Sequence, residues 1–470
     1  MRPTDYPTQE LEVTIKEINN RANGVAVYRH EPFENTNGKH LKLFIPKTIP
    51  GDIVKVTVEN AKGRRQATVD YDELVKPSPD RDLSISPNDT LVGGTPLIYM
   101  HYDAQLKLKE SLVKHYLAEE GFDTSVVRTI IGMENPNRYR NKMELTFGMN
   151  GELGMHEQGN YKHIIDMKDS ILAPEIMVKL KKDISQWQND FQIPGFDKDN
   201  QSGVLRKLIM RYSFETNELM AIIYATKAPN KMEGAAEDLA DRLTKAFPEL
   251  KCLQWGENTD RSEQIVVDQM HVLAGREFIY DKLNDYLYKI YPNTFFQVNP
   301  TQASLMVSEA LKVAKVDKQT RIVDLFCGMG TFSLPFAAKA KELVGIELVE
   351  ESIISARQNA KEAGLTNTCF FASDARAGLQ KLKEEWDTTD LLILNPPRSG
   401  AGGKMMRSVG RYGSDQILYI SCNPKTLALD LIWLKDYGYK LKSVQPIDQF
   451  PHTMHVECIV LMEKVHTRIA

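Results

Sequence analysis

Apolar and polar residues alternate in short runs along the first 76 residues of the chain. Strands are predicted for residues 11–18, 24–28, 41–45, 53–58 and 66–71. Turn-forming pairs such as Asn23-Gly24 and Asn37-Gly38 separate these runs. A succession of short strands with turns between them is typical of a small β-barrel.

The pattern changes at Pro77-Ser-Pro79, which indicates a linker. Apolar residues at helical spacing then predict a helix over residues 103–120, with Gly121 placed to end it. This helix is a candidate to pack on the C-terminal part of the chain. Strand and helix patterns alternate without a repeat as far as residue 290, so we predict a central α+β domain over residues 77–290.

From residue 291 onward the strand and helix patterns alternate regularly. The predicted strands are 322–326, 343–347, 369–372, 391–394, 417–421, 440–444 and 456–462. No helical pattern lies between the last two, so the final strand is expected to run antiparallel. The interpretation is an α/β fold in three parts, 1–76, 77–290 and 291–470, the last a mostly parallel doubly wound sheet.

Composition narrows the class of protein further. The 470 residues are 26% charged with a net charge of −4, so a nucleic-acid surface would have to be local. No apolar run is long enough for a membrane span, and no signal-peptide core follows Met1. We expect a cytoplasmic protein. Five cysteines without a C-x-x-C pair argue against a disulfide framework and a cysteine-based zinc site.

A glycine turn follows the first strand of the C-terminal sheet in Asp324-Leu-Phe-Cys-Gly-Met-Gly330. Ser333 stands where a dinucleotide fingerprint would have its third glycine, which favours a ligand without a pyrophosphate. Glu347 ends the second strand, where a carboxylate can accept both ribose hydroxyls, and Asp374 follows the third strand, within reach of an adenine amino group. Together these positions fit S-adenosylmethionine. An NAD-type or nucleotide-free sheet is the alternative.

Chemistry-bearing residues follow the fourth and fifth strands, in Asn395-Pro-Pro-Arg398 and Ser421-Cys422-Asn423-Pro424. With Asn423 as cap and Pro424 in the first turn, Cys422 would precede a helix N-terminus, which lowers the pKa of a thiol. A buried structural cysteine is the alternative. Before the last strand, alternation predicts that His455 and Glu457 share a face, and Glu457 is a candidate general base or a salt-bridge partner.

One reaction uses all of these groups. Carbon 5 of uracil becomes nucleophilic only after a thiolate has added to carbon 6, and a base must then remove the proton from carbon 5. Cys422 and Glu457 would supply the thiolate and the base.

Two basic segments in the central domain are candidate RNA contacts. Arg138, Arg140 and Lys142 flank a tyrosine and an asparagine, and Arg206 lies next to Lys207. Basic residues with an interleaved aromatic suit phosphate and base contacts. A surface ion-pair network is the alternative.

With these motifs in place, the chain resembles the RNA uracil-5 methyltransferase family, in particular the branch that carries a TRAM domain and modifies 23S ribosomal RNA. Residues 7–76 resemble the OB-like TRAM barrel, Tyr139-Arg-Asn-Lys142 a central motif, and Phe295-Phe-Gln-Val-Asn299 the F-x-Q-V-N segment. The resemblance implies a class I, Rossmann-like catalytic domain that uses S-adenosyl-L-methionine, with RNA as its partner and no obligate protein partner or membrane.

The resemblance also implies roles for single residues. Cys422 becomes the nucleophile and Glu457 the base. The cofactor contacts it implies, together with those expected above, are Gln297, Phe326, Gly328, Glu347, Asp374 and Asn395. Contacts to RNA are expected from Arg138, Arg140, Lys142, Arg206, Arg398 and His455.

The chain departs from the family pattern in two places. Many relatives hold a 4Fe–4S cluster with four cysteines, where this chain has Ser86, Val92, Thr95 and Ser170, so we expect no cluster and no metal. The usual D-P-P-R reads Asn395-Pro-Pro-Arg398, which keeps hydrogen-bonding capacity and loses the charge.

Three other functions stay open. A methyltransferase for exocyclic amines would use N-P-P, although an aromatic residue usually follows and Arg398 stands there instead. A catalytically silent RNA-binding or ribosome-assembly factor would need the barrel but not Cys422. Transfer RNA is the alternative substrate.

Overall fold

The structure is a computed structural model that describes residues 9–29, 40–58, 66–85, 94–157, 160–262, 264–386 and 389–465. The chain divides into two compact units, Met1–Lys109 with Phe450–Met454 and Glu110–Gln449 with His455–Ala470. None of the helices in the described part of the chain is long and apolar enough to cross a membrane.

The first unit begins with two small sheets. Its strands are β1 (Gln9–Thr14), β2 (Glu17–Ile18), β3 (Gly24–Arg29), β4 (His40–Ile45), β5 (Ile53–Val58), β6 (Gln66–Thr68) and β7 (Tyr71–Lys76). They pair in the orders β1-β5-β7 and β2-β3-β4-β6. Residues from both sheets, among them Leu11, Leu43 and Val54, enclose one apolar core. The predicted β-rich arrangement is therefore confirmed, whereas the predicted strands 11–18 and 66–71 are each divided into two strands.

The predicted helix is α1 (Tyr102–Glu119), and Gly121 follows it with a positive φ of 67°. The elements after it are β8 (Lys142–Phe147), β9 (Leu153–Glu157), β10 (Asn160–Asp166), α2 (Glu175–Asp190), β11 (Leu205–Ser213), β12 (Glu218–Ala225), α3 (Ala235–Ala246), β13 (Leu250–Glu257), β14 (Gln269–Gly275), β15 (Ile279–Leu283) and β16 (Tyr286–Ile290). Strands β8 to β14 form a sheet in the order β10-β9-β8-β11-β12-β13-β14, and β15 pairs with β16.

The C-terminal sheet alternates with helices as expected. Its elements are α4 (Pro300–Val313), β17 (Arg321–Leu325), α5 (Ser333–Ala337), β18 (Glu342–Glu347), α6 (Glu350–Glu362), β19 (Thr368–Ala372), α7 (Ala375–Glu385), β20 (Leu391–Leu394), α8 (Gly403–Tyr412), β21 (Gln416–Ser421), α9 (Pro424–Lys435), β22 (Tyr439–Ile447) and β23 (Glu457–Lys464). The order is β19-β18-β17-β20-β21-β23-β22.

Strands β17 to β21 are parallel, whereas β23 runs antiparallel between β21 and β22. This confirms the predicted doubly wound sheet and its reversed last strand. Buried residues of the central sheet, such as Ile222, belong to the same apolar core as Ile322 and Leu418 of the C-terminal sheet. The boundary proposed at residue 290 thus lies within one compact unit, and the three-domain division stays a prediction.

Candidate active site

Cys422 and Glu457 meet where β21 and β23 pair. Ser421, the last residue of β21, is opposite Cys458 in antiparallel register. Cys422 directly follows β21, and Glu457 is the first residue of β23, directly before Cys458, so the register makes these two residues neighbours. The reversed last strand is what brings a C-terminal carboxylate to the edge at which the parallel strands end.

Burial dominates the electrostatics of this pair. Glu457 is only 7% exposed, and burial raises the pKa of its carboxyl to about 8. Burial and the nearby Glu457 charge raise the pKa of the half-buried Cys422 thiol to about 11, against the opposing effect of Arg398. Within the described residues, the Glu457 carboxyl has no hydrogen-bond partner and no ion pair, and burial is the sole cause of its raised pKa.

The helix that follows Cys422 begins at the predicted residue. The pKa of the Cys422 thiol, however, is not lowered as predicted. Pro424 stands in the first turn of α9, and the Asn423 side chain accepts a hydrogen bond from the Lys425 amide at 3.2 Å. The expectation of a lowered pKa for Cys422 is wrong, because burial and the charge of Glu457 raise it.

The loop that carries Arg398 is fastened to the same helix. The Asn423 side-chain amide donates to the Arg398 carbonyl at 3.2 Å. Further along the loop, the amides of Ala401 and Gly402 donate to the buried Asp430 carboxylate at 2.7 and 3.0 Å. Sequence reasoning missed Asp430. Its sequence signal is a single carboxylate in the apolar stretch of α9, which predicts a buried charge with hydrogen-bond partners.

Open space and positive φ mark the glycine turn after β17. Phe326 and Gly328 have φ of 64° and 53°, and a Cβ built on Gly328 would meet nothing within 4 Å. The Gly328 amide donates to Glu347 Oε2 at 3.2 Å. The turn therefore leaves room for a ligand next to the carboxylate at the end of β18.

Glu347 and Asp374 both bind backbone amides. Glu347 Oε1 accepts from the amides of Leu348 and Val349 at 2.8 and 3.1 Å. Asp374 caps α7, and its Oδ1 accepts from the amides of Arg376 and Ala377. These bonds fix both carboxylates at strand ends, where the sequence placed them, and the ribose and adenine contacts stay predictions.

Asp324 lies buried beneath the glycine turn. Its Oδ2 accepts a hydrogen bond from the Ser333 hydroxyl at 2.5 Å, while Oδ1 is buried and has no partner among the described residues. Burial raises the pKa of Asp324 to about 7; the Ser333 hydrogen bond opposes the rise and the Glu347 charge adds to it. Ser333, which replaces the third glycine, thus holds a carboxylate whose second oxygen can accept a hydrogen bond.

The segment that carries Gln297 is fastened from two sides. The Asn141 side chain donates to the Gln297 carbonyl at 3.0 Å, and the Asn141 amide donates to the Val298 carbonyl at 2.8 Å. From the other side, buried Gln449 donates to the Asn299 carbonyl at 3.2 Å and lies 3.5 Å from Gln297 Oε1. Sequence reasoning missed Gln449, which follows a predicted strand without any motif of its own.

The basic residues beside and on the central sheet form hydrogen bonds and ion pairs within the protein. Arg138 pairs with Asp169 at 3.1 Å and donates to the carbonyls of Ser170 and Ala173. Arg140 donates to the Lys142 carbonyl at 3.0 Å, and burial lowers the pKa of Lys142. These bonds favour the interpretation of the basic residues as a surface ion-pair network over their interpretation as RNA contacts.

Arg206 is the clearest departure from the expected RNA surface. It is 5% exposed, and its guanidinium donates to the carbonyls of Asn258, Asp260 and Ser262. Because the N–H groups of this buried guanidinium already donate to loop carbonyls, few of them can bind a phosphate. His455 is half-buried and precedes β23 instead of lying in it, so the shared strand face predicted with Glu457 does not form.

Two of the four positions that could be compared with cluster ligands are described. Thr95 and Ser170 are both buried, and the Ser170 hydroxyl accepts from the Leu172 amide at 3.2 Å. Ser86 and Val92 lie outside the described residues. Within the described ranges, no group of three or more histidine, cysteine or acidic side chains could hold a metal ion.

Comparison with known proteins gives the class. The family model described as tRNA (Uracil-5-)-methyltransferase matches residues 101–465. An uncharacterized RNA methyltransferase of Halalkalibacterium halodurans is 34% identical over 459 residues, 96% of each chain. One from Oceanobacillus iheyensis is 32% identical over 98% of each chain.

The fold has a solved counterpart in the Pyrococcus abyssi tRNA (uracil-54, C5)-methyltransferase in complex with S-adenosyl-L-homocysteine. Its TM-score is 0.71 at 23% identity, over 96% of this chain and 100% of that one. At this identity the likeness supports the fold.

The chain is an RNA methyltransferase. It belongs to the tRNA (Uracil-5-)-methyltransferase family, whose methyl donor is S-adenosyl-L-methionine, as the sequence predicted.

Proposed function

We propose that the protein methylates carbon 5 of uridine in 23S ribosomal RNA through a covalent intermediate. The supporting observation is the pairing of β21 with β23, which makes the only half-buried cysteine at this sheet edge a neighbour of a buried carboxyl without a hydrogen-bond partner among the described residues. A nucleophile and a base side by side are what addition to carbon 6 and proton removal from carbon 5 require.

In this reaction the Cys422 sulfur adds to carbon 6 of the uracil ring, and the ring electrons move toward the carbonyl oxygen at carbon 4. Carbon 5 then carries the charge needed to take the methyl group from the sulfonium of S-adenosyl-L-methionine, which would leave as S-adenosyl-L-homocysteine. Glu457 takes the remaining proton from carbon 5, and the bond between sulfur and carbon 6 breaks. The flipped base would lie between the sheet edge and the Gln297 segment.

The raised pKa values set a condition on this chemistry. In the free protein Glu457 keeps its proton at neutral pH, because its pKa is about 8. It must lose that proton before it can accept one from carbon 5. The Arg398 charge favours the Cys422 thiolate, so a bound substrate that excludes water would strengthen this attraction.

The residues around the glycine turn fit S-adenosyl-L-methionine, which supplies the methyl group when bound. Asp324 Oδ1 is an unpaired buried acceptor, and Gly328 has open space on its side-chain side. Glu347 is held at the end of β18 by three backbone amides, so its carboxylate is oriented in advance for ribose hydroxyls. Asp374, Phe326, Asn395 and Gln297 complete the proposed cofactor contacts.

The substrate choice depends on the N-terminal strands. Their resemblance to a TRAM barrel supports 23S ribosomal RNA. Transfer RNA is the second candidate, because the Pyrococcus abyssi enzyme of the same fold is a tRNA (uracil-54, C5)-methyltransferase.

Product mapping tests the proposal. Unmodified transcripts of 23S ribosomal RNA and of transfer RNAs would be incubated with the protein and S-adenosyl-L-methionine, and 5-methyluridine located by mass spectrometry. The proposal predicts 5-methyluridine in the 23S transcript alone. Product in transfer RNA alone would select the second candidate, and methyl on an exocyclic amine or no product with either RNA would contradict the proposal.

A further inference from the structure

A groove on the outer face of the methyltransferase sheet carries only positive charge. A cavity of about 400 Å³ lies between α7 and α8. Its polar lining comes from Arg376, Gln380, Lys383, Ser408 and Arg411. The lining contains no carboxylate, and in the described part of the chain none of its three cations has an ion pair with one.

Another cavity, on the central sheet, has a different character. Its lining includes Lys162 and Lys207, but Lys162 pairs with Asp199 at 2.6 Å and Lys207 pairs with Glu144. Cations that are already neutralised gain little from a phosphate. The charges of the groove between α7 and α8 are not offset in this way, although Lys383 also donates to the Arg411 carbonyl at 2.8 Å.

Helix α8 continues the positive charge toward the reaction site. Its ten residues include Lys404, Arg407 and Arg411 and no acidic residue. Spacings of three and four place these cations on one side of the helix, over about 10 Å, which matches about three phosphates of a stacked strand. The Arg407 guanidinium lies 4.5 Å from the centre of the Trp433 ring.

The direction of this row of cations links it to the substrate. Helix α8 begins at Gly403, directly after the loop that carries Arg398, and the Arg398 charge acts on the Cys422 thiol. A strand whose target base reaches Cys422 would therefore find cations along α8 on its way to the groove. Arginine suits such contacts because its guanidinium can hold a phosphate with two hydrogen bonds.

We propose that the groove between α7 and α8 binds the phosphodiester backbone of the RNA strand that flanks the target uridine. The proposal deepens the proposed function and rests on it for the position of the target base. The contacts are to phosphates, so they contribute affinity and positioning without reading sequence.

The test measures RNA affinity as a function of salt. Binding of a fluorescently labelled 23S ribosomal RNA transcript would be followed without methyl donor, in a Cys422→Ala background that cannot form an adduct. The variant Arg376→Ala/Lys383→Ala/Arg411→Ala is expected to reduce the slope of log affinity against log salt by about 2 to 3, as loss of three phosphate contacts predicts.

Two matched variants separate position from net charge. Lys245→Ala/Lys312→Ala/Lys318→Ala removes three exposed cations from other elements and should leave the slope unchanged. Arg376→Lys/Lys383→Arg/Arg411→Lys keeps the charge and should restore most of the slope. Circular dichroism checks that every variant is folded.

Three outcomes would overturn the proposal. They are an unchanged slope in the groove variant, an equal loss in the control variant, and binding of inorganic phosphate in the groove with no effect on RNA affinity. Since no methylation is measured, failure here is distinct from failure of the uridine chemistry, which product mapping tests separately.

Discussion

The carboxyl groups at the edge of the methyltransferase sheet and the guanidinium of Arg206 on the central sheet are both buried, but they differ in whether they have hydrogen-bond partners. At the edge, Glu457 is buried without a hydrogen-bond partner in the described structure, and Asp324 has one buried oxygen unpaired. On β11, Arg206 is equally buried, but its guanidinium donates to a set of loop carbonyls.

The difference separates polar groups that hold the fold from groups that are kept for chemistry. A buried charge with several partners stabilises a loop, and its loss is a loss of stability. A buried carboxyl without partners costs stability, and such a cost is typical of sites where a substrate completes the interactions. The comparison predicts that substitutions at the two regions have opposite effects on activity and stability.

The largest expected effect is at Cys422. Cys422→Ala should reduce methyl transfer by on the order of 10⁴-fold, because without the sulfur carbon 5 is not activated. Methyl incorporation into RNA measures this loss. Cys369→Ala, which changes an exposed cysteine on β19, is the matched control and should keep its activity. Equal activity of both variants would remove the distinction drawn at the sheet edge.

Glu457→Gln should lower activity and raise stability, which is the opposite of what is expected for a residue that holds the fold. Release of methylated RNA is expected to fall by about 10²- to 10⁴-fold, as for loss of a general base, with a methylated protein–RNA adduct accumulating. Its stability should rise relative to wild type. Between the ordinary pKa of 4.5 and about 8, folded Glu457 holds a proton that the unfolded chain has released, so wild-type stability falls as pH rises.

Urea unfolding at several pH values measures this second effect. The stability advantage of Glu457→Gln should grow between pH 5 and 8 by up to about 1.4 kcal/mol per pH unit. Glu463→Gln on the same strand is the control, since Glu463 pairs with Lys315 and should show no such gain. A destabilised Glu457→Gln protein would mean that the carboxyl has a structural role.

Arg206→Ala should lower stability and leave RNA binding unchanged. The variant leaves several buried carbonyls without a donor, so the free energy of unfolding should drop by about 2–4 kcal/mol. RNA affinity per folded molecule should change little. Lys207→Ala removes a neighbouring cation with a single partner and should cost less than about 1 kcal/mol. A selective loss of RNA affinity in Arg206→Ala would restore Arg206 as an RNA contact.

The smallest expected effect is the pH dependence of the wild type. Ionisation of Glu457 favours proton removal from carbon 5, and its pKa is raised to about 8, so a rate limited by this step should increase about tenfold from pH 6.5 to 7.5. Single-turnover methylation under saturating RNA and donor measures it. A flat profile would contradict a proton held on the buried carboxyl.

Local rules in the sequence predicted the backbone of the site. Strand ends, the Asn423 cap and the antiparallel last strand follow from alternation and turn chemistry. The adjacency of Cys422 and Glu457 does not, because it depends on the pairing of β23 with β21. The pKa of Cys422 could not be predicted in this way. It depends on burial and on a neighbouring charge 35 residues away in sequence, both of which arise only when β23 inserts beside β21.

The residues that hold loops in place could not be predicted from the sequence either. Arg206 reads as a surface cation because its partners are carbonyls more than 50 residues away, and carbonyls leave no mark in a sequence. Gln449 binds the Gln297 segment from a distance of 150 residues. A sequence pattern thus identifies reactive and charged side chains, and long-range packing determines which of them are already bound within the protein.

The most direct measurement is covalent trapping with RNA that contains 5-fluorouridine, from which the base at Glu457 cannot remove fluorine as a proton. With S-adenosyl-L-methionine present, the account predicts a stable protein–RNA adduct for wild type, mapped by mass spectrometry to Cys422, and none for Cys422→Ala. An adduct on another residue, or equal behaviour of the two proteins, would contradict it.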